Sequence, residues 1–152
     1  MYLEDKEISP YFVTKEGAVK AAFGDATHEF DVEEQKFYTI ILKQDDETLL
    51  VIEDEANTNQ AKSQINFYNL SSTPSLSLKA KGGKIGVIED VEQGKAGFRQ
   101  INPVKIDLSV ANGDEVLFDA GDKTLERSET YSLFFVGKDN VVWVKSSTNT
   151  TK

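Results

Sequence analysis

The stretch Val104-Lys105-Ile106-Asp107-Leu108-Ser109-Val110 decides the fold class. Its apolar and polar residues alternate, which predicts a β-strand with one buried face and one face in water. Pro103 comes immediately before it, where a missing N–H and a fixed φ are tolerated at a strand entry. The same alternation recurs along the chain, whereas the i, i+3, i+4, i+7 pattern of an amphipathic helix is not sustained. The sequence therefore predicts an all-β protein.

This strand opens a pattern that occurs twice. In the second copy residues 104–110 are followed by 123–130, 131–136 and 141–144, and in the first copy residues 19–23, 27–30, 38–42 and 49–52 follow the same order. Two further strand-like runs, residues 64–70 and 76–79, precede the second copy, and their counterparts would fall before Met1. The pattern predicts two tandem Ig-like antiparallel β-sandwich domains, the first incomplete at its N-terminus.

The domain boundary is predicted near Lys62. Residues 53–62 are polar and lack apolar periodicity, which is typical of a linker. We therefore expect one domain over residues 1–62, a second over 63–146, and a disordered tail over 147–152. A first domain that lacks two strands has an open sheet edge, so we expect a second copy, a partner strand or the neighbouring domain to cover it. A homodimer through that edge is one such arrangement.

Composition and charge exclude several classes of function. The absence of cysteine excludes disulfides, thiolate zinc sites and cysteine catalysis, and fits either redox compartment. No apolar run is long enough for a membrane helix, and the first residues lack the apolar stretch of a signal peptide, so any export signal is expected to have been removed. Residues 1–62 hold 15 Asp or Glu against 6 Lys or Arg, which accounts for the whole net charge of -9. Because such a surface repels phosphates, we expect no nucleic acid partner.

A search for catalytic and metal sites finds none. His28, the only histidine, lies in a strand pattern without a glycine-flanked serine or a second histidine nearby. The acidic clusters at 45–47 and 53–55 lack the alternating oxygen ligands and central glycine of a calcium loop. Residues 81–84 (KGGK) lack the spacing of a phosphate loop and are interpreted as a hairpin turn. We predict no catalytic residue, no metal and no cofactor.

Aromatic residues and arginines are the remaining candidates for recognition. Trp143 lies between Val142 and Val144 and faces the other way, so it is either a core anchor, the favoured interpretation, or an exposed contact. Arg99 and Arg127 are the only arginines, and each suits a partner carboxylate or, more commonly, an ion pair between strands.

Three motifs resemble the AlgF family of alginate O-acetylation proteins: residues 99–105 (RQINPVK), 124–129 (TLERSE) and 142–145 (VWVK). Residues 36–39 (KFYT), 52–54 (IED) and 69–71 (NLS) add weaker matches in the right order, so the resemblance covers roughly residues 10 to 145. The chain departs from the family pattern at Glu55-Ala56, where the family usually has prolines. It also lacks the family's earlier strands and export signal, so we expect a fragment or a trimmed chain.

The resemblance implies a periplasmic, two-domain β protein that is required for adding acetyl groups to an exopolysaccharide. It implies a non-catalytic adaptor that works beside a membrane acyltransferase and periplasmic SGNH-type acetyltransferase-like proteins, with Arg99, Asn102, Arg127 and Trp143 as the partner-binding candidates. The alternative is a carbohydrate-binding sandwich that holds the polymer near the transferase. Autonomous acetyl transfer is the least favoured reading, and the acetylated polymer, alginate or a related one, is left open.

Overall fold

The chain is β-structured throughout the part that the computed structural model describes, which is residues 15–23, 26–43, 48–138 and 140–146. These residues form twelve strands and no helix, so none of them belongs to a helix that could cross a membrane. The strands are β1 Gly17–Phe23, β2 Ala26–Val32, β3 Phe37–Lys43, β4 Thr48–Asp54, β5 Ser63–Ser71, β6 Ser75–Ala80, β7 Ile85–Glu92, β8 Ala96–Ile101, β9 Lys105–Asn112, β10 Glu115–Thr124, β11 Thr130–Gly137 and β12 Asn140–Ser146. The prediction of an all-β protein is confirmed.

Contacts within the chain divide it into two units after Ala56. Asn57 begins the second unit, where its side-chain amide donates to the carbonyls of Lys62 and Glu129, at 3.2 and 3.5 Å. The division therefore lies six residues before Lys62, inside the polar run that the sequence identifies as a linker. The predicted disordered tail, residues 147–152, lies outside the described residues.

The second unit is a sandwich of two four-stranded sheets, with strand orders β10-β9-β6-β7 and β12-β11-β5-β8. The core between them takes alternate residues from both sheets. Ile65, Phe67 and Leu133 come from one sheet, and Leu78, Leu108 and Val110 from the other, all with 0% exposure. The alternation of residues 104–110 places Leu108 and Val110 inside, as predicted, whereas Val104 is exposed and Ser109, which was expected on the face in water, is buried.

One strand pair of the second unit is parallel. β5 lies between β8, to which it is antiparallel, and β11, to which it is parallel, with Ile65 opposite Tyr131 and Phe67 opposite Leu133. A parallel pair needs a long crossover, and the chain between β5 and β11 supplies it by building the opposite sheet. The prediction of antiparallel sheets holds for every other described pair.

The strand before β11 lies earlier than residues 123–130. β10 ends at Thr124, and residues 125–129 form a loop. Register shifts at Val116/Phe118 and Asp119/Gly121 break the alternation of β10. This strand therefore cannot be recognised in the sequence from alternating apolar and polar residues. Likewise β7 and β8 join the predicted runs 64–70 and 76–79, so four strands precede the second copy of the pattern.

The first unit contains two antiparallel hairpins among its described residues, β1–β2 and β3–β4. They match the hairpins β9–β10 and β11–β12 in order, which is the repeat that the sequence predicts. Residues 1–14 lie outside the described residues, so the predicted open sheet edge of this unit stays a prediction.

Candidate partner-binding site

A tyrosine corner fixes the loop between β10 and β11. The Glu126 N–H donates to the Tyr131 hydroxyl at 2.9 Å, which is the backward hydrogen bond that characterises Ig-like sandwiches. The Glu126 carbonyl accepts from the Ser63 hydroxyl at 2.6 Å, and the Ser128 N–H donates to the Lys62 carbonyl at 2.9 Å. Leu125 is buried in the core. The loop is therefore held from several sides.

Arg127 lies in the middle of this fixed loop. Its side chain is exposed and makes no hydrogen bond or ion pair with any other described residue. A guanidinium on a rigid loop loses little backbone entropy on binding, so it is well placed to receive a carboxylate from a partner.

Asn102 lies beside the same loop through Lys62. The Lys62 ammonium donates to Asn102 Oδ1 at 2.5 Å, while the Lys62 carbonyl holds Ser128. Asn102 is exposed and keeps its side-chain NH2 donors for a partner. The structure therefore brings Asn102 and Arg127 to the same end of the sandwich.

Trp143 joins this end from the core side. It lies opposite Leu133 across β11 and β12 and packs against the hydrophobic core, as the favoured interpretation expects. Its ring stacks on Tyr131, with centroids 5.3 Å apart, and the Lys123 ammonium lies 5.4 Å from its ring centroid. The stacking on Tyr131 supports the loop, and because Trp143 is partly exposed it also reaches the surface.

Arg99 serves a structural role. Its guanidinium donates to the carbonyls of Val87 and Gly86 at 3.1 and 3.4 Å, so it joins β8 of one sheet to β7 of the other. The structure does not bring Arg99 into contact with Arg127 or Trp143.

Lys145 forms ion pairs with two glutamates at this end. Its ammonium lies 3.1 Å from Glu126 and 3.8 Å from Glu129, and the hydrogen bond to Glu126 raises the pKa of Lys145 above its ordinary value. We call Lys62, Asn102, Arg127, Trp143 and Lys145 the corner surface. These side chains offer hydrogen-bond donors and positive charge, which suit recognition of acidic or amide groups.

Comparisons with known proteins identify the family. The model of "Alginate O-acetyl transferase AlgF" matches residues 3–132. The chain belongs to the AlgF family. It is 33% identical over 132 residues to the alginate biosynthesis protein AlgF of Azotobacter vinelandii and 32% identical over 137 residues to that of Pseudomonas fluorescens, covering 85% and 88% of this chain. It spans 60% and 62% of the length of those two relatives.

A solved structure supports the fold. The C-terminal domain of AlgF from P. aeruginosa is 36% identical and matches with a TM-score of 0.51, over 56% of this chain and 98% of that domain. The AlgF resemblance that residues 99–105, 124–129 and 142–145 carry is thus confirmed. In the structure these motifs surround the tyrosine corner, so the motifs typical of AlgF proteins here belong to one end of one sandwich.

The other residues considered for catalysis or metal binding in this AlgF-family chain lie in strands or form pairs within the first unit. His28 lies on β2 opposite Ala21. Asp54 is buried and accepts the Thr39 hydroxyl, and Glu53 pairs with Lys36 at 3.4 Å. No set of three His, Asp or Glu side chains in the described part of the chain is arranged to hold a metal ion. The acidic cluster at 45–47 lies outside the described residues.

The sequence reasoning missed the tyrosine corners, although a signal for them exists. Tyr38 and Tyr131 each come five residues after a glutamate that follows a buried aliphatic residue, Val32 or Leu125. In the first unit the Glu33 N–H donates to the Tyr38 hydroxyl at 3.2 Å, so both copies of the repeat close the same corner.

Proposed function

We propose that this protein is a non-catalytic periplasmic adaptor for O-acetylation of alginate or a related exopolysaccharide. The observation that carries the proposal is the AlgF family match over residues 3–132, together with relatives named for alginate biosynthesis. The partners would be periplasmic SGNH-type acetyltransferase-like proteins and a membrane acyltransferase. Holding them together raises the rate of acetyl transfer through proximity.

The corner surface supports an adaptor role. Arg127 is exposed on backbone that hydrogen bonds hold in place, and the exposed Asn102 side chain is held by the Lys62 ammonium. Such preorganised polar groups cost little to order on binding. Arginine is also enriched among the residues that dominate protein interfaces. We therefore assign the docking of a partner to this end of the second unit.

The surface of the described residues favours protein recognition over sugar stacking. Its exposed large apolar side chains are Ile85, Phe98, Val104, Val116 and Val136, which include neither tryptophan nor tyrosine. Sugar-binding sheets present rows of such rings, and here the Trp143 ring is stacked on Tyr131. The carbohydrate-binding alternative predicts saturable binding of oligouronates to the purified protein.

Deletion of the gene tests the role in acetylation. We expect polymer synthesis to continue while its acetyl content, measured by NMR, falls to background. The purified protein should not hydrolyse a model acetyl ester. Ester turnover that disappears in His28→Gln would contradict the adaptor proposal, because it would make this chain a catalyst.

Substitution of Arg127 tests the corner surface. Arg127→Gln should weaken co-purification of the acetyltransferase-like partner by about tenfold, since a charged hydrogen bond contributes roughly 1.5–3 kcal/mol. The matched control is Lys95→Gln, which removes one exposed positive charge from the turn between β7 and β8. Equal losses in both variants would reduce the effect to net charge and contradict the assignment.

A further inference from the structure

A second feature of the second unit lies on the outer face of the sheet β10-β9-β6-β7. Leu108 and Val110 of β9 face the core, so Asp107 and Ser109 point to the opposite side. There they line a concavity of about 470 Å³ together with Asp119 and Asp122 of β10. The space suits an entire side chain.

The strand register places like charges side by side in this concavity. Asp122 lies directly opposite Asp107, and Asp119 lies opposite Ser109. Like charges opposite each other in a sheet destabilise it, so this arrangement has a cost in the free protein.

The lining of the concavity holds three aspartates and no lysine, although Lys79, Lys81 and Lys105 lie close by, and the charge of Lys81 also acts on Asp107. The Lys105 ammonium lies 3.3 Å from Asp122, and the Lys79 ammonium donates to the Gly113 carbonyl at 2.7 Å. Asp107 accepts from the backbone N–H groups of Gly82 and Lys81, and these bonds, that of Gly82 first, lower the pKa of Asp107 below its ordinary value. Asp107 is therefore ionised at neutral pH.

Asp119 is also satisfied by backbone alone. Its Oδ1 accepts from the Gly121 N–H at 2.9 Å, and neither Asp107 nor Asp119 has an ion pair with a described residue. Two carboxylates thus keep free lone pairs that face the concavity.

Ser109 gives an independent sign of a ligand. Its side chain is 3% exposed, and its hydroxyl has no hydrogen-bond partner among the described residues. Buried hydroxyls are normally paired, because an unsatisfied one destabilises the fold. Ser109 is one of the residues that line the concavity, and it lies between Asp119 and Lys79 in the register.

We propose that this concavity receives an arginine side chain of a partner protein, an inference that rests on the adaptor function proposed above. A guanidinium carries five N–H donors in a planar fork, which matches several carboxylates and a hydroxyl spread over one wall. Val116, which also lines the concavity, offers an apolar contact for the aliphatic part of the side chain. An anionic polymer is repelled here, so this site serves a protein partner.

A peptide titration of the whole protein tests the concavity directly. The probe is acetyl-Gly-Arg-Gly-amide, followed by two-dimensional NMR of the backbone amides, and its control is the same peptide with neutral citrulline in place of arginine. We expect saturable shifts at Gly82, Ser109 and Gly121 with the arginine peptide only. Equal shifts with both peptides, or shifts elsewhere only, would overturn the proposal.

A charge-removing variant locates the binding. Asp119→Asn with Asp122→Asn should weaken the arginine peptide by about tenfold, because asparagine keeps the acceptor for Gly121 but loses the charge. The matched control, Glu89→Gln with Glu92→Gln, removes two exposed charges from β7 of the same sheet. Equal weakening in both variants, or no weakening in the first, would overturn the site.

The source of the arginine is decided by two further measurements. If a second copy supplied it through the exposed Arg127, the protein would self-associate and Arg127→Gln would abolish that association, which would overturn a partner protein as the source. In co-purification, loss of the acetyltransferase-like partner with the Asp119/Asp122 variant supports the proposal, and full retention overturns it while the adaptor function stands. If the wild-type protein captures no partner, the adaptor function fails, and the peptide titration still decides the concavity.

Discussion

The two tyrosine corners of this chain are copies of one device in different surroundings. In the second unit Tyr131 is 3% exposed, accepts the Glu126 N–H at 2.9 Å and stacks on Trp143. In the first unit Tyr38 is only partly buried and accepts the Glu33 N–H at 3.2 Å. The backbone geometry is repeated, and the packing around it is not.

The ion pairs beside the corners are reversed in sign. Lys36, two residues before Tyr38, pairs with Glu53 across the hairpin at 3.4 Å. At the corresponding places of the second unit, Glu129 pairs with Lys145 at 3.8 Å. Glu53 lies opposite Tyr38, and Lys145 lies opposite Tyr131. The position of the pair is therefore retained while its polarity is not, and each pair has a second glutamate beside it, Glu33 or Glu126. The corners differ in charge because Arg127 follows Glu126 where Glu34 follows Glu33.

Core truncation should separate the two units most strongly. Leu133 and Ile40 hold the same place in β11 and β3, two residues after each tyrosine, but Leu133 is fully buried and Ile40 is not. Leu133→Ala should destabilise the second unit by about 2–5 kcal/mol because it leaves a cavity. Ile40→Ala should destabilise the first by about 1 kcal/mol. Urea unfolding followed by Trp143 fluorescence, and hydrogen exchange of the β3 amides, measure the two losses.

A loss of unfolding free energy in Ile40→Ala as large as that in Leu133→Ala would contradict the difference between the units. It would mean that the first unit has a core of the same quality as the second.

Removal of the corner hydroxyls should give a smaller difference of the same sign. Tyr131→Phe leaves the Glu126 N–H without its acceptor at a corner whose tyrosine is buried, so we expect a loss of about 1.5 kcal/mol. Tyr38→Phe should cost about 0.5 kcal/mol, because water can replace the hydroxyl at a more exposed corner. Thermal unfolding monitored by circular dichroism, with hydrogen exchange of the Glu126 and Glu33 amides, provides the measurement. If the two substitutions reduced the protection factors of the Glu126 and Glu33 amides equally, the result would contradict the expected effect of burial.

Three features were predictable because each depends on the local alternation of apolar and polar residues. They are the repeated strand pattern, the all-β fold class and the packing of Trp143 against the core. Leu108 and Val110 show the buried face directly in the sequence, whereas Val104, which the same alternation places inside, is exposed and precedes β9. The parallel pairing of β5 with β11 was not, since it joins residues more than sixty positions apart. The roles of the two arginines were equally hidden: Arg99 binds backbone carbonyls of another sheet, which have no sequence signature, whereas Arg127 projects from a loop whose anchor is the Tyr131 hydroxyl.

Acid should act on the second unit through strands that have no counterpart among the described residues of the first. The pKa of Asp107 is lowered by the N–H groups of Gly82 and Lys81 in the β6–β7 turn, so its contribution is present above the ordinary value of 3.8 and is lost as pH falls below it. Asp107→Asn should make the fall in melting temperature below pH 3.8 shallower. An unchanged acid limb in this variant would show that the turn does not depend on the charge.

Reversal of the corner ion pair should have the smallest effect. Lys145→Glu places three glutamates together and should lower the melting temperature slightly at pH 7, where the raised pKa keeps Lys145 charged in the wild type. Adding Glu129→Lys recreates the arrangement of Lys36 with Glu33 and Glu53 and should restore stability. High salt should reduce both changes. Failure of the double variant to recover at low salt would contradict the equivalence of the two corners.

The proposed adaptor role is tested most directly by the association of the proposed partners in cells. The SGNH-type acetyltransferase-like protein is captured from membranes with and without this chain, and the co-purified membrane acyltransferase is quantified. We expect the association to be lost without this chain, to be restored by the wild type and to be restored poorly by Arg127→Gln. Association that is equally strong in its absence would contradict the account.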